Sequence, residues 1–129
     1  METFNLRTSS RMEFVDITPQ VDALVRQSGV TEGLCCVFVP HTTAGLTLNE
    51  NVDPAVRQDI LMEVNRVVPF DDGYSHSEGN SAAHLKSSLM GQSLVVPILG
   101  GRLAVGPWQG IFFCEFDGPR QRRVYVAIK

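Results

Sequence analysis

The sequence has few cysteines, no surplus of positive charge and no long apolar run, and each of these absences excludes a class of protein. Cysteine occurs three times in 129 residues, and Cys35 and Cys36 are adjacent in an apolar run, so neither a disulfide framework nor a zinc-finger spacing is present. Lys and Arg number 11 against 14 Asp and Glu, which argues against nucleic-acid binding because that binding needs a surplus of positive charge. No apolar run approaches the roughly 20 residues that cross a bilayer. We therefore expect neither a nucleic acid nor a membrane as partner.

A secretory signal is also missing from the N-terminus. The stretch METFNLRTSSRMEFVDI alternates apolar and polar residues and contains no apolar signal core or small-residue cleavage site. We therefore expect a cytoplasmic protein. The length is close to the commonest size of one domain, and no linker or repeat divides the chain, so residues 1–129 are predicted to form a single domain.

Apolar periodicity predicts short strands and two or three helices. Two alternating strands precede a helix that begins near Thr18 and ends at Gly29, and a second helix begins after Asp53 and runs to about Val67. Asn80 or Ser81 is predicted to cap a third, shorter helix. The remaining strands are predicted in GLCCVFVP, LTLNE, SLVVPIL, RLAV, WQGIFFCEF and RRVYVAIK.

This order of elements predicts an α+β fold with antiparallel, β-sandwich-like sheets and helices packed on one side. Turns rich in Gly and Pro separate the strands of the last half, as in a meander. The terminal strand RRVYVAIK and the apolar stretch IFFC are candidates for contacts between subunits, so we expect a symmetric oligomer.

The three histidines all fall in or beside polar segments. His41 ends a predicted strand, His76 lies in a loop dense in Gly and Ser, and His84 lies one turn into the third helix. Three imidazoles with an open position can form a catalytic zinc site. The spacing matches no sharp metal signature, so capping or surface roles remain an equal alternative.

Several polar residues near these histidines are candidates for catalysis or anion binding. Glu50 follows the strand after the His41 loop and is a candidate to hold a water, act as a base or orient a ligand, or else to be a solvated carboxylate. Free N–H groups at the start of the third helix favour an anion. The candidates for phosphate or anion binding are Thr42, Thr43, Gly79, Asn80 and Ser81, with Arg120 in the DGPRQRR turn as a further phosphate contact.

Motifs across most of the chain resemble the YjbQ-like family, which is also called the secondary thiamine-phosphate synthase family. The resemblance rests on PHTTAGLTLNENVDPAVRQD, on GNSAAHLKSSLMGQSLVVPILGGRLAVGPWQGIFFCEFDGPR and on the loop histidine between them. It implies a compact α+β fold with packed sheets, a homotrimer, and a metal ion among residues matching His41, His76 and His84. One departure is Pro107, where the family often has Thr.

These observations lead to one leading hypothesis for function and two alternatives. The leading one is a metal-binding enzyme acting on phosphorylated small molecules, which the resemblance narrows to a thiamine-phosphate synthase that joins hydroxymethylpyrimidine diphosphate to thiazole phosphate. The three histidines would hold a divalent ion, zinc-like or magnesium, with Glu50 and Arg120 as the catalytic residues. The alternatives are a metal-dependent hydrolase and a non-catalytic module that binds a metal or an anion.

Overall fold

The computed structural model describes all residues from 1 to 129, which form eight strands and three helices. Their bounds, in chain order, are β1 Glu2–Arg7, β2 Glu13–Asp16, α1 Thr18–Ser28, β3 Glu32–Phe38, β4 Ala44–Glu50, α2 Pro54–Val67, α3 Ser81–Met90, β5 Ser93–Leu99, β6 Arg102–Leu103, β7 Gln109–Glu115 and β8 Gln121–Ile128. The predicted α+β class is confirmed.

The strands form two antiparallel sheets. The larger sheet has the order β1-β8-β3-β5-β6 and the smaller has β2-β7-β4. The main core lies between the inner faces of the sheets and α1, because alternate residues of each strand point inward. Its buried members include Val21, Val25, Cys35, Val37, Leu46, Ile98, Ile111, Phe113, Val124 and Val126.

The helix ends show which predicted caps form. Asp53 caps α2, since its side chain accepts a hydrogen bond from the Ala55 N–H at 2.9 Å. Thr18 does not cap α1, because its hydroxyl accepts from the Ile111 N–H of β7 at 2.8 Å, and Ile17 occupies the N-cap position instead. A tertiary contact has replaced the local one. None of the helices is both long and apolar enough to cross a membrane.

The segments predicted for subunit contacts are largely inside the molecule. Ile111 to Cys114 are fully buried in β7, and β8 is an inner strand between β1 and β3 rather than an exposed edge. One group of exposed apolar side chains lies together on the outward side of the paired strands β3 and β5. We call it the outer apolar face, and it consists of Leu34, Phe38, Val95 and Leu99.

Candidate functional site

A polar cleft of about 800 Å³ lies where three parts of the chain meet. The loop from β3 to β4 contributes His41, Thr42 and Thr43. The start of α3 contributes Asn80 and His84, and the segment entering β8 contributes Arg120 and Arg122. The chain thus brings together residues up to about eighty positions apart.

A buried ion pair sits at the base of the cleft. Arg122 is 5% exposed and Glu115 is fully buried. The Arg122 Nε donates to Glu115 Oε1 at 2.8 Å, and its Nη2 donates to Oε2 of the same carboxylate and to Thr43 Oγ1 at 2.9 Å. The remaining guanidinium nitrogen, Nη1, donates to no protein atom. Because Arg122 lines the cleft, its two unused N–H groups are available to a ligand there.

The Glu115 carboxylate is held in its charged form. Burial by itself would raise its pKa, but the hydrogen bonds from Arg122, from the Thr8 hydroxyl and from the Asp117 N–H outweigh burial and lower that pKa. The Thr8 Oγ1 lies 2.7 Å from Oε1 and the Asp117 N lies 3.0 Å from Oε2. Glu115 and Thr43 therefore hold the Arg122 guanidinium in one orientation, and Thr8 and Asp117 hold the Glu115 carboxylate.

His41 lines the cleft, and one of its two ring nitrogens is already engaged within the protein. Its Nε2 accepts a hydrogen bond from the Arg123 N–H at 3.0 Å, so the neutral ring carries its proton on Nδ1. Burial and the neighbouring Arg122 charge lower the pKa of His41, which keeps the ring neutral at pH 7. The Nε2 lone pair that a metal would need is already engaged.

The other two histidines lie together beside the cleft. The rings of His76 and His84 meet edge to face with centroids 5.4 Å apart, and His76 Nε2 lies 3.7 Å from Glu78 Oε2. His84 lines the polar cleft, whereas His76 lines a neighbouring, more apolar hollow that also includes Ser81. His41 and His84 thus line the same cleft, and His76 contacts His84.

The residues do not fit the predicted three-histidine metal centre. The chain contains no group of three or more His, Cys, Asp or Glu side chains placed to hold a metal ion, and His41 uses its acceptor nitrogen within the protein. The prediction of a zinc protein is therefore wrong. A divalent metal ion as cofactor stays a prediction from the sequence.

Glu50 lies outside the cleft, at the opposite end of β4. An extended strand rises about 3.4 Å per residue, so the six steps from Ala44 carry Glu50 about 20 Å from the His41 loop. Its Oε2 accepts from the Asp53 N–H at 3.2 Å. It supports the turn before α2 and cannot reach a ligand beside His41.

The predicted anion-binding residues divide between the cleft and its surroundings. Thr42 and Asn80 line the cleft, and so does Thr43, whose hydroxyl accepts from Arg122. Gly79, which has a φ of 77°, and Ser81 do not line it. Arg120 lies at the rim. Its Nε donates to the Asp117 backbone carbonyl at 2.8 Å, and its Nη2 donates to Asp117 Oδ2 at 3.0 Å.

Sequence reasoning missed Glu115 and Asp117. One signal was available for Glu115, because it is the single charged residue in the otherwise apolar run IFFCEF, and buried charges require a partner. The partner could not be identified from the sequence, since β7 and β8 lie in different sheets and local patterns do not show which of their residues meet.

Residues 2–129 match the family described as UPF0047 protein YjbQ-like. The chain belongs to the YjbQ-like UPF0047 family. It is 47% identical to UPF0047 protein YugU of Bacillus subtilis over 129 residues, covering 99% of this chain and 98% of the relative. It is 39% identical to YjbQ of Escherichia coli O157:H7, covering 88% and 85% of the two chains.

Solved structures of UPF0047 proteins have the same fold. A protein from Clostridium acetobutylicum, described as an uncharacterized conserved protein of the family, superposes with a TM-score of 0.98 at 51% identity over the whole of both chains. A Sulfolobus solfataricus protein of unknown function gives a TM-score of 0.95 at 35% identity, covering 98% of this chain and 94% of that one.

These findings correct the predicted activity. The family and its members are described as uncharacterized or of unknown function, and none of these relatives is named as a thiamine-phosphate synthase or a metal-binding enzyme. The prediction of a metal-binding enzyme acting on phosphorylated molecules is therefore wrong, as are the synthase activity and the metal-dependent hydrolase. None of the relatives reported above is named as a metal-binding module either.

Proposed function

We propose that the cleft binds a small molecule through an oxyanion group, a phosphate or a carboxylate. The observation that carries the proposal is the Arg122 guanidinium, which Glu115 and Thr43 hold rigidly while its Nη1 donates to no protein atom. A guanidinium presents paired N–H donors that match the geometry of phosphate and carboxylate. A ligand group that meets Nη1 needs no rearrangement of this side chain.

Two further donors support an anion at the same place. Neutral His41 keeps its proton on Nδ1 and lines the cleft. Arg120 reaches the rim with its Nη1 unbonded to the protein. Because Glu115 and Asp117 each offset one arginine charge, hydrogen-bond geometry rather than net charge is expected to supply the affinity.

Titration with n-propyl phosphate tests this proposal. Charged hydrogen bonds contribute about 1.5–3 kcal/mol each, so we expect a Kd between about 10 µM and 1 mM. The variant Arg120→Gln should weaken binding about fivefold. Calorimetry or NMR shifts of the cleft residues measure both quantities.

Arg66→Gln is the matched control for Arg120→Gln. Arg66 also forms an exposed pair with a carboxylate three residues earlier, at 2.9 Å, but on α2 and away from the cleft. Its removal should leave the Kd unchanged. Failure of n-propyl phosphate and of acetate to bind at 10 mM would contradict the proposal.

We propose in addition that the chain associates with copies of itself through the outer apolar face, as the homotrimer implied by the family resemblance. Leu34, Val95 and Leu99 are 54%, 60% and 64% exposed on neighbouring, paired strands. Contiguous apolar surface of this kind is uncommon on monomers. Burial against a second copy would remove it from water.

Light scattering coupled to size exclusion tests this assembly. The wild-type chain should elute with the mass of a trimer, and Val95→Glu should shift it toward the monomer, because a charge buried in an apolar interface is costly. Met62→Glu places the same charge at an exposed site on α2 and should leave the mass unchanged. A monomeric wild type would exclude the assembly.

A cytoplasmic location stays a proposal from the sequence. The three cysteines are free thiols in the structure, and Cys35 and Cys114 are buried. Free thiols are typical of proteins in reducing compartments, which supports the proposal. Fractionation of the host cell tests it.

A further inference from the structure

A second hollow adjoins the polar cleft at His84. It has a volume of about 420 Å³ and is formed by the loop between α2 and α3 and by the start of α3. Its lining residues are Tyr74, Ser75, His76, Ser81, His84 and Leu85. None of these is an Asp, Glu, Lys or Arg, and most of the exposed wall is carbon. The hollow is therefore suited to an apolar group.

Tyr74 and Leu85 supply much of this apolar wall. The Tyr74 hydroxyl donates to the Pro69 carbonyl within the same loop, so its proton is already used and its ring carbons remain for the hollow. Leu85 is 46% exposed, although its side chain is apolar. Both residues offer a ligand apolar contact rather than a hydrogen-bond donor.

The hollow and the cleft border each other at three places. His84 lines both of them. Asn80 lines the cleft, and the next residue, Ser81, lines the hollow. The Glu78 carboxylate, on the cleft side, lies 3.7 Å from Nε2 of His76, on the hollow side. At His84 the two cavities are therefore one side chain apart.

The cleft by itself has few apolar walls. Sites for small molecules are mostly apolar, with a few polar groups that fix the orientation of the ligand. Only 2 of the 14 residues that line the cleft are hydrophobic, and the hollow supplies the apolar surface that the cleft lacks. An amphipathic molecule can therefore use both cavities at once.

We propose that the ligand of the cleft is amphipathic, and that its apolar group occupies the hollow in contact with Tyr74 and Leu85 while its oxyanion meets the arginines of the cleft. The inference rests on the proposed anion-binding function and narrows its ligand class. Monophosphates and carboxylates that carry a compact hydrocarbon group belong to this class. Inorganic phosphate and short alkyl phosphates fill only the cleft.

Phosphate monoesters with and without a phenyl group test the inference. 3-Phenylpropyl phosphate and 6-phenylhexyl phosphate, which sample a short and a long linker, are compared with n-propyl phosphate by calorimetry. We expect at least one phenyl ester to bind wild-type protein about tenfold more tightly, because burial of apolar surface is favourable. 3-Phenylpropan-1-ol, which has no oxyanion, should bind more weakly than its phosphate.

The variant Leu85→Asn places an amide of similar volume in the hollow. It should reduce the preference for the phenyl ester to less than about threefold, because the apolar group would then meet a polar side chain. Leu89→Asn makes the same change one turn further along α3. Leu89 is 68% exposed and lines neither cavity, so this variant should retain the full preference.

Intermolecular NOEs locate the phenyl group directly. We expect them between the phenyl protons and the Leu85 methyl groups or the Tyr74 ring. Phe38 lines the cleft and offers the phenyl group a different apolar contact. NOEs to Phe38 alone would place the group in the cleft and overturn the inference.

The possible outcomes separate this inference from the function on which it rests. Equal binding of the phenyl esters and n-propyl phosphate by wild-type protein would overturn the inference and leave anion binding intact. A preference that persists in Leu85→Asn would overturn the role of the hollow. Failure of all three phosphates to bind, or equal binding of 3-phenylpropan-1-ol and its phosphate, would overturn anion binding itself, and the amphipathic ligand with it.

Discussion

The hydrogen-bond partners of the charged and titratable residues near the cleft explain their burial and their protonation states. Glu115 and Arg122 are charged residues with almost no exposure, and they are tolerated because nearly every polar atom of the pair is satisfied by the other or by Thr8, Thr43 and Asp117. His41 is neutral for the same kind of reason, since burial and Arg122 disfavour its charged form.

Removal of the buried carboxylate should destabilise the chain strongly. In Glu115→Gln the Arg122 charge loses its counter-ion while remaining buried, and breaking a buried pair in this way costs about 3–5 kcal/mol. Urea denaturation followed by circular dichroism measures the change in the free energy of unfolding.

The matching control is Glu63→Gln, which breaks an exposed pair with Arg66. Exposed pairs contribute about 0–1 kcal/mol, so this variant should resemble wild type. Similar losses in the two variants would show that the Glu115 network is no stronger than a surface contact.

The protonation of His41 gives a pH-dependent signal. Its pKa in the folded chain is lowered from the ordinary value of 6.5, so as pH falls below about 6.5 the unfolded chain takes up the proton first and the stability contributed by His41 declines. Imidazole ¹⁵N NMR should show the Nδ1–H tautomer at pH 7. An Nε2–H tautomer, or titration above pH 6.5, would refute this assignment.

At the scale of elements, the packing of α3 against β4 positions the cleft. The Ser87 hydroxyl donates to the Ala44 carbonyl at 2.7 Å, and the Leu46 N–H donates to the Gly91 carbonyl at 3.0 Å. Gly45 lies between these two bonds. A Cβ at Gly45 would lie 2.7 Å from the Gly91 oxygen, so only glycine allows the helix to approach the strand this closely.

Gly45→Ala should therefore separate α3 from β4 and lower stability. Forcing a methyl group into a filled site costs about 1–3 kcal/mol, and we expect a loss in this range by thermal or urea denaturation. A Cβ at Gly73 would meet nothing within 4 Å, so Gly73→Ala should change stability by less than about 0.5 kcal/mol. Equal effects at the two glycines would contradict the close approach.

For the molecule as a whole, one buried amine links distant segments. The Lys86 Nζ of α3 donates to Asn65 Oδ1 of α2 at 2.9 Å, contacts Met12 Sδ at 3.4 Å and lies 3.7 Å from the centre of the Phe70 ring. No carboxylate offsets its charge. Burial, followed by the nearby Arg11 charge, lowers the pKa of Lys86 from 10.5 to about 8.

Lys86 should make the stability of the whole chain rise with pH. Between about pH 8 and pH 10.5 the unfolded chain keeps the Lys86 proton while the folded chain has lost it, so the free energy of unfolding increases with pH. Comparison with Lys86→Met by urea denaturation isolates this contribution, because other titrating groups are common to both proteins. A constant difference between the two from pH 7 to 10.5 would disprove it.

The sequence by itself determined the local architecture and the family. Alternation and capping residues predict the strands, the end of α1 at Gly29 and the start of α2 at Asp53, because these depend on neighbours within a few residues. The motifs from His41 to Arg120 indicated the YjbQ-like family, and the family match confirms it.

Only the tertiary structure decided the site. It separated Glu50 from His41 by the length of a strand, engaged the His41 acceptor nitrogen with the Arg123 N–H, and gave Arg122 its buried partner Glu115. It also turned Asn80 from a helix cap into an unpaired acceptor. These outcomes depend on contacts between residues up to about eighty positions apart, and no local pattern records which polar atoms such contacts satisfy.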